Sequence, residues 1–199
     1  MDTSPLNLEN KLLVATPAMR DPRFRHAVIY MCTHSDEGAM GIVVNRAKRG
    51  GPGGGELHLS ELLDSIGVEG RVRVADTPVL AGGPVDMERG FVLHSLDYQT
   101  PDATMPISDT LALTSTKDVL DALVSDRAPS RAILAVGYSG WGEGQIEEEL
   151  GENAWIVCEP EPHILDALVF DGDLDAKWKD ALAGIGVDAA GLSGASGHA

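Results

Sequence analysis

His26-Ala27-Val28-Ile29-Tyr30-Met31-Cys32-Thr33, then Ser35-Asp36-Glu37-Gly38, then Ala39-Met40-Gly41-Ile42-Val43-Val44 is the stretch that decides the fold class. Two runs rich in β-branched and apolar residues flank a separator with turn chemistry. Gly38 is free to take positive φ there, so the stretch predicts a β-hairpin. Along the first run Val28, Tyr30 and Cys32 share one face, and Ala27, Ile29 and Met31 the other. Both faces are apolar, which predicts a strand covered on both sides.

Outward from the hairpin, strands come in clusters with helices between them. Leu12 to Ala15 is a short apolar run stopped by Thr16-Pro17. After the hairpin, Arg46 to Gly55 is a basic loop with five glycines. It lacks the Gly-Lys-Ser/Thr ending of a phosphate-binding loop and reads as a surface loop. A short helix follows, with Ser60 as its cap, Leu59, Leu62, Leu63 and Ile66 on one stripe, and Gly67 at its end. Thr77 to Val85 predicts a strand running into the tight turn Gly82-Gly83-Pro84. Gly90 to Ser95 is a further strand, and Ala103 to Ser115 holds at least one more. Ser115-Thr116-Lys117-Asp118 reads as a capping box ahead of a helix that presents Val119, Leu120, Leu123 and Val124 to a core. Ala132 to Val136 and Ala154 to Cys158 are strands, and Glu143 to Leu150 is a helix. A last helix around Ala176 to Ala183 buries Trp178 and Leu182. Without a regular β-α-β alternation, the class is α+β.

The 199 residues, 43% hydrophobic and 23% charged, fit one domain over 1–199, with 1–11 and roughly 190–199 as mobile tails. No apolar run approaches the ~18 residues of a membrane helix. The amino terminus has no basic residue ahead of an apolar stretch, and Cys32 and Cys158 form no Cys-x-x-Cys pair. A cytoplasmic protein with free thiols is the expectation. The net charge of −16 is uneven: residues 1–60 carry seven Lys/Arg against six Asp/Glu, and the remainder eight against twenty-five. A surface this acidic repels phosphate backbones, which disfavours direct nucleic-acid or anionic-membrane binding.

Four constellations bear on chemistry. Gly137-Tyr138-Ser139-Gly140-Trp141 sits where hydrolases place a nucleophile, but Trp141 occupies the position of the second glycine of Gly-x-Ser-x-Gly. Ser139 or Gly140 therefore reads as a helix-start residue at a strand-to-helix turn. Trp141 and Gln145, one turn apart, read either as the edge of a pocket or, equally naturally, as a helix anchored by a buried Trp141. Cys32 and His34 leave one strand face, as an activated thiol requires, although the apolar surroundings favour a packed core cysteine. His26, His34, His58, His94 and His163 show no metal-ligand spacing; His94 reads as a satisfied structural histidine, with an imidazole oriented by Asp97 in a loop as the other reading. Arg20, Arg23, Arg25 and His26, with Arg46, Lys48 and Arg49, make the basic cluster. No cofactor, no metal and no catalytic residue is assigned.

The order and spacing of many segments carry a resemblance. They are Leu13-Val14-Ala15-Thr16-Pro17, Asp21-Pro22-Arg23-Phe24, Gly38 to Arg46, Gly82-Gly83-Pro84-Val85, Arg89 to His94, Thr114 to Leu120, Gly137 to Trp141, Gly144-Gln145, Asn153-Ala154-Trp155 and Gly197-His198-Ala199. From about Leu12 onward the chain resembles the YqgE/AlgH family of bacterial proteins. The resemblance implies an α+β fold with a bifurcated, pseudo-barrel, mostly antiparallel sheet flanked by helices, and a proposed role in transcriptional regulation. It brings no established catalytic residue. After Asn45-Arg46 the family continues into proline and a more apolar stretch, whereas this chain inserts its basic glycine-rich loop. The expected function is binding of a protein or small-molecule partner without catalysis, with an indirect regulatory role. Two readings stay open beside it: an enzyme using Cys32 or a hydrolytic site near Ser139, and a direct DNA-binding regulator. Candidate ligand-binding residues, from the polar and glycine segments of the pattern, are Asn45, Gly83, His94, Ser139, Trp141 and Gln145.

Overall fold

The computed structural model describes residues 6–189. These separate into two compact units: the residues up to Gly41 with those from Gly140 onward, and Ile42–Ser139. The expected tail at 190–199 lies outside the described residues, as do residues 1–5 of the other tail. From Leu8 the chain is anchored, since Leu8 is fully buried, Asn10 N–H donates to Met31 and Met31 N–H donates back to Lys11.

In the first unit, β1 (Leu12–Ala15), β2 (Val28–Ser35), β3 (Gly38–Val43, its last two residues in the second unit) and β9 (Trp155–Cys158) lie in the order β3-β2-β1-β9. β1 is antiparallel to both neighbours, with Leu12 opposite Tyr30 on one side and Cys158 on the other. The hairpin turns at Asp36-Glu37, and residues Val28 to Cys32 are all buried, as two apolar faces require. Helix α5 (Lys177–Ala183) packs against β1 and β2, and its Trp178 indole N–H donates to the Ala15 carbonyl at 2.8 Å. Trp178 and Leu182 are buried, as expected. Helices α3 (Gln145–Gly151) and α4 (Pro162–Phe170) complete the unit. Pro162 at the first helical position starts α4, which buries Leu165, Leu168, Val169 and Phe170. That helix was absent from the sequence-based expectation.

In the second unit the order is β6 (Thr104–Pro106), β7 (Leu111–Thr114), β5 (Val85–Ser95), β8 (Ala132–Gly142), all antiparallel, the last three residues of β8 belonging to the first unit. The two-residue β4 (Leu80–Ala81) is parallel to β8. Helices α1 (Leu59–Ser65) and α2 (Lys117–Leu123) supply Leu59, Leu63, Val119, Ala122 and Leu123 to a core shared with Val79, Val92, Tyr98 and Leu134. The class is α+β with a mostly antiparallel sheet, as the resemblance implies.

Local expectations needed correction at four places. Ser139 is not at a strand-to-helix turn: β8 runs on to Gly142, and burial alternates through Ser139, Gly140, Trp141 and Gly142 with the period of a strand. The cap of α1 is His58, whose backbone N–H donates to the Glu61 carboxylate, while Ser60 is held by Asp76 through its N–H and hydroxyl. Ile66, placed on the apolar stripe, lies beyond the last helical turn and is exposed. The cap of α2 is Thr116 and not Ser115, because the Ser115 hydroxyl accepts from Arg89.

The glycine-rich segment Arg46–Gly55 is tied at its stem. Lys48 N–H donates to Val79, Ala81 N–H donates to Arg46, and Leu57 N–H donates to Lys48. Gly83, at φ +155°, approaches β8 so closely that a Cβ would overlap the Tyr138 carbonyl and Ser139 nitrogen, which are backbone atoms unable to yield. Gly83→Ala is expected to lower unfolding stability by about 3 kcal/mol or more in urea titration. Gly151→Ala, where an added Cβ meets open space, should change it by less than about 0.5 kcal/mol.

Candidate functional site

The close approach at Gly83 is one corner of a junction in the second unit. Gly82 N–H donates to Val136 while its carbonyl accepts from Val43. A Cβ on Gly82 would overlap the Gly137 carbonyl, and one on Gly137 would crowd the carbonyls of Gly83 and Val85 and the Met87 Cα. Gly137 itself has φ +76°. This packing distorts β5. Val85 pairs with Tyr138 and Gly90 with Val136, so Asp86, Met87, Glu88 and Arg89 bulge out opposite the single residue Gly137. Asp86 takes φ +50°, an uncommon and costly conformation for a residue with a side chain.

The bulge carries the most exposed large apolar side chain of the described residues, Met87 at 63%, beside Val85 at 37%. Arg89 is fixed alongside. Its guanidinium lies over the Phe91 ring at 5.3 Å and donates to the Ser115 hydroxyl at 2.7 Å, with Asp86 at 4.0 Å. Phe91 in turn meets Tyr138 edge to face at 5.5 Å. Two segments far apart in the chain, Gly82–Phe91 and Gly137–Ser139, thus build a single surface feature. It offers an apolar tip and a held cation, which is equipment for recognition.

The six candidate residues from the sequence occupy separate surroundings. Gly83 and Ser139 are neighbours in the junction, where the Ser139 hydroxyl donates to the Gly82 carbonyl at 3.4 Å and the residue is fully buried. His94 stands opposite Ala132, seven residues along β8 from Ser139, which is roughly 20 Å of strand. Asn45, half-buried, follows β3. Trp141 and Gln145 belong to the first unit and meet on Glu149. One Glu149 oxygen accepts the indole N–H of Trp141 at 3.0 Å and of Trp155 at 2.7 Å, and the other accepts from the Gln145 amide at 2.9 Å. Gln145 also accepts the Gly142 N–H. Trp141 and Gln145 thus clamp α3 onto the ends of β8 and β9, the anchoring role that a buried tryptophan here suggests. Glu149 was legible only as part of an acidic helix; its spacing of four from Gln145 was the available signal.

The groups considered for catalysis are engaged in packing. Cys32 is 2% exposed and Cys158 fully buried, and burial pushes the Cys158 thiol up to about 11. Cys158 lies across β1 from Tyr30 and Cys32 two residues further along β2, so two strand spacings and two residues, roughly 12 Å, separate them, beyond disulfide reach. His34 does not serve Cys32, because its Nε2 pairs with Glu147 at 2.8 Å. His94 is in a strand rather than a loop, fully buried between the Ser95 carbonyl and the Thr114 hydroxyl. Arg23, from the basic cluster, is paired to Asp21 at 2.7 Å. Among the described residues no group of three or more His, Cys, Asp or Glu is placed to hold a metal, and no helix is long and apolar enough to cross a membrane.

One buried cation was missed. Lys177 is 3% exposed, its Nζ donates to the Val169 carbonyl at 3.1 Å, and burial lowers its pKa to about 8 against the pull of Asp171. A lysine at the start of a surface-length helix gives no sequence signal of burial.

Two measurements follow from this geometry. Iodoacetamide at neutral pH should leave both thiols unmodified in the folded protein and modify both in denaturant; rapid native labelling of Cys32 would revive a thiol mechanism. For Lys177 the folded pKa of about 8 lies below the ordinary 10.5, so above pH 8 the unfolded chain binds more protons and stability rises with pH. Above the ordinary thiol value of 9.0, Cys158 acts oppositely, since its folded pKa is raised. Urea midpoints should therefore climb between about pH 8 and 9, and Lys177→Met should flatten that climb and add on the order of 2 kcal/mol near neutrality.

Comparison with known proteins agrees with this architecture. The family model described as AlgH-like (DUF179) matches residues 12–190. A UPF0301 protein of Caulobacter vibrioides is 44% identical over 193 residues, 96% of this chain and 94% of the relative. Another, from Ruegeria pomeroyi, is 43% identical, covering 98% of this chain and all of its own. Among solved structures, the AlgH protein of Pseudomonas aeruginosa is similar with a TM-score of 0.72 and 34% identity over the full length of both chains. A Corynebacterium diphtheriae protein at 19% identity and a TM-score of 0.63 shares the fold. With a model matched over most of its length and relatives above 40% identity, this chain belongs to the AlgH-like, UPF0301 family.

Proposed function

We propose that this AlgH-like protein is a non-catalytic, cytoplasmic binding protein that engages a protein or small-molecule partner at the β5 bulge, any influence on transcription being indirect. The observation that carries this reading is the bulge itself: Met87 63% exposed on a segment strained at Asp86 and braced by glycine contacts. Strain of about 1–3 kcal/mol at an exposed position is retained where it shapes a working surface. Exposed apolar side chains next to a held arginine have the composition of an interface centre. The burial of Cys32, Ser139 and His94 supports the non-catalytic part, because a nucleophile or base must reach its substrate. The net charge of −16 supports an indirect route to transcription.

Affinity capture from native lysate, with wild type, Met87→Asp and Arg89→Ala as baits, tests the reading. Bound material is scored separately as protein, small molecule and nucleic acid. The expected result is a protein or small molecule whose capture falls about thirtyfold with Met87→Asp, the effect of a central interface residue worth about 2 kcal/mol. Capture indifferent to both substitutions, or nucleic acid retained at physiological salt, overturns it.

A further inference from the structure

His94 is the most deeply placed titratable group of the second unit, and its hydrogen bonds fix where its proton sits. Nδ1 lies 2.9 Å from the Ser95 carbonyl, which only accepts, so Nδ1 carries the hydrogen. In the neutral ring Nε2 is then an acceptor, and the Thr114 hydroxyl at 2.9 Å donates to it. The Thr114 oxygen next receives the Thr104 hydroxyl at 2.9 Å, and the Thr104 oxygen receives the Thr100 N–H at 2.9 Å. Thr100 donates its own hydroxyl to Tyr98 at 2.7 Å, and the Tyr98 ring stands edge to face against the imidazole at 5.3 Å. The hydroxyls of Thr104 and Thr114 both point toward His94, from the outermost strand β6 inward.

A proton added at Nε2 turns that nitrogen into a donor, and the chain cannot absorb it. Thr114 either keeps its hydrogen with nothing to receive it, inside a residue 1% exposed, or reverses and donates to Thr104. Thr104 would then accept from both Thr114 and Thr100, and its own hydrogen would need water. β6 is three residues long and ends the sheet and Thr104 is only half-buried, so a small outward movement of the strand brings its hydroxyl to that water.

We propose that His94 is a proton-operated latch on the sheet edge, whose protonation releases the Tyr98–Thr104 turn and strand β6 from β7. Each event takes up one proton from solvent and moves none between protein groups. The faces against the ring are otherwise quiet: β7 and β8 place Ala112 and Ala132 opposite His94, and β6 contributes the hydroxyl of Thr104. Tyr98 is the titratable group in ring contact, and Asp97 is the charge whose field reaches the imidazole. Burial lowers the His94 pKa, outweighing the Ser95 hydrogen bond and the Asp97 charge that raise it. The folded ring therefore stays neutral below the ordinary 6.5, while a ring freed by opening titrates near that value.

The test is amide hydrogen exchange by NMR, expressed as protection factors, at about pH 7.5 and about pH 5.5. An open form titrating near the ordinary value gains about tenfold over that interval, so protection at Thr100 and Thr104 should fall about tenfold while the β5–β8 ladder keeps its own. In His94→Gln the pH response should vanish. Ring nitrogen shifts of the wild type at the higher pH should show hydrogen on Nδ1; hydrogen on Nε2 overturns the proposal whatever the variant does. Equal protection at both pH values, or the same fall in a folded His94→Gln, also overturns it.

Discussion

Backbone can approach backbone as closely as Gly83 approaches Tyr138 only where no Cβ stands between them, and the second unit is organised around that constraint. Gly82, Gly83 and Gly137 remove three side chains from one place. The turn after β4 can then lie against β8, and the start of β5 must bow outward over Gly137. The strained Asp86, the exposed Met87 and the orientation of Arg89 are consequences of this packing. Hydrophobic burial alone would place β5 on β8 in continuous register; the steric requirement at the glycines breaks it and creates the bulge.

In the first unit the corresponding constraint is polar. Two indole N–H groups buried in a sheet–helix seam each need an acceptor, since an unmet donor there costs about 1–3 kcal/mol. Glu149 serves both and takes the Gln145 amide on its other oxygen. Trp141 and Trp155 also meet edge to face at 6.1 Å. Three donors converge on the two oxygens of this one carboxylate, which explains how an acidic helix can be pinned by one of its own acids. Lys177 shows the opposite solution: one carbonyl and a distant charge leave an ammonium under-compensated, and its pKa falls.

Much of the framework was legible. Apolar runs broken by turn residues located β1, the β2–β3 hairpin, β9 and the helices near Leu59, Val119 and Trp178, because burial of alternating or stripe-forming side chains imprints its period on the chain. The chemistry near Ser139 was legible as an exclusion, since tryptophan cannot stand where a nucleophile elbow needs glycine. Its secondary structure was misread, because Gly-x-Ser-Gly carries turn signals that β8 overrides by pairing. Helix α4 escaped because its apolar residues follow a proline-rich link and lack a clear polar face.

By itself the sequence determined the α+β class, the acidic character, the hairpin and the family, all of which depend on composition, local periodicity or the order of segments. Only the tertiary structure decided which residues meet. Gly82, Arg89 and Gly137 converge on one bulge, Trp141, Gln145 and Trp155 on one carboxylate, and His94 joins Thr114 and Thr104 in one hydroxyl chain. These contacts join residues up to dozens of positions apart across strand register. Register is set by the whole sheet and leaves no local mark on the residues that it brings together.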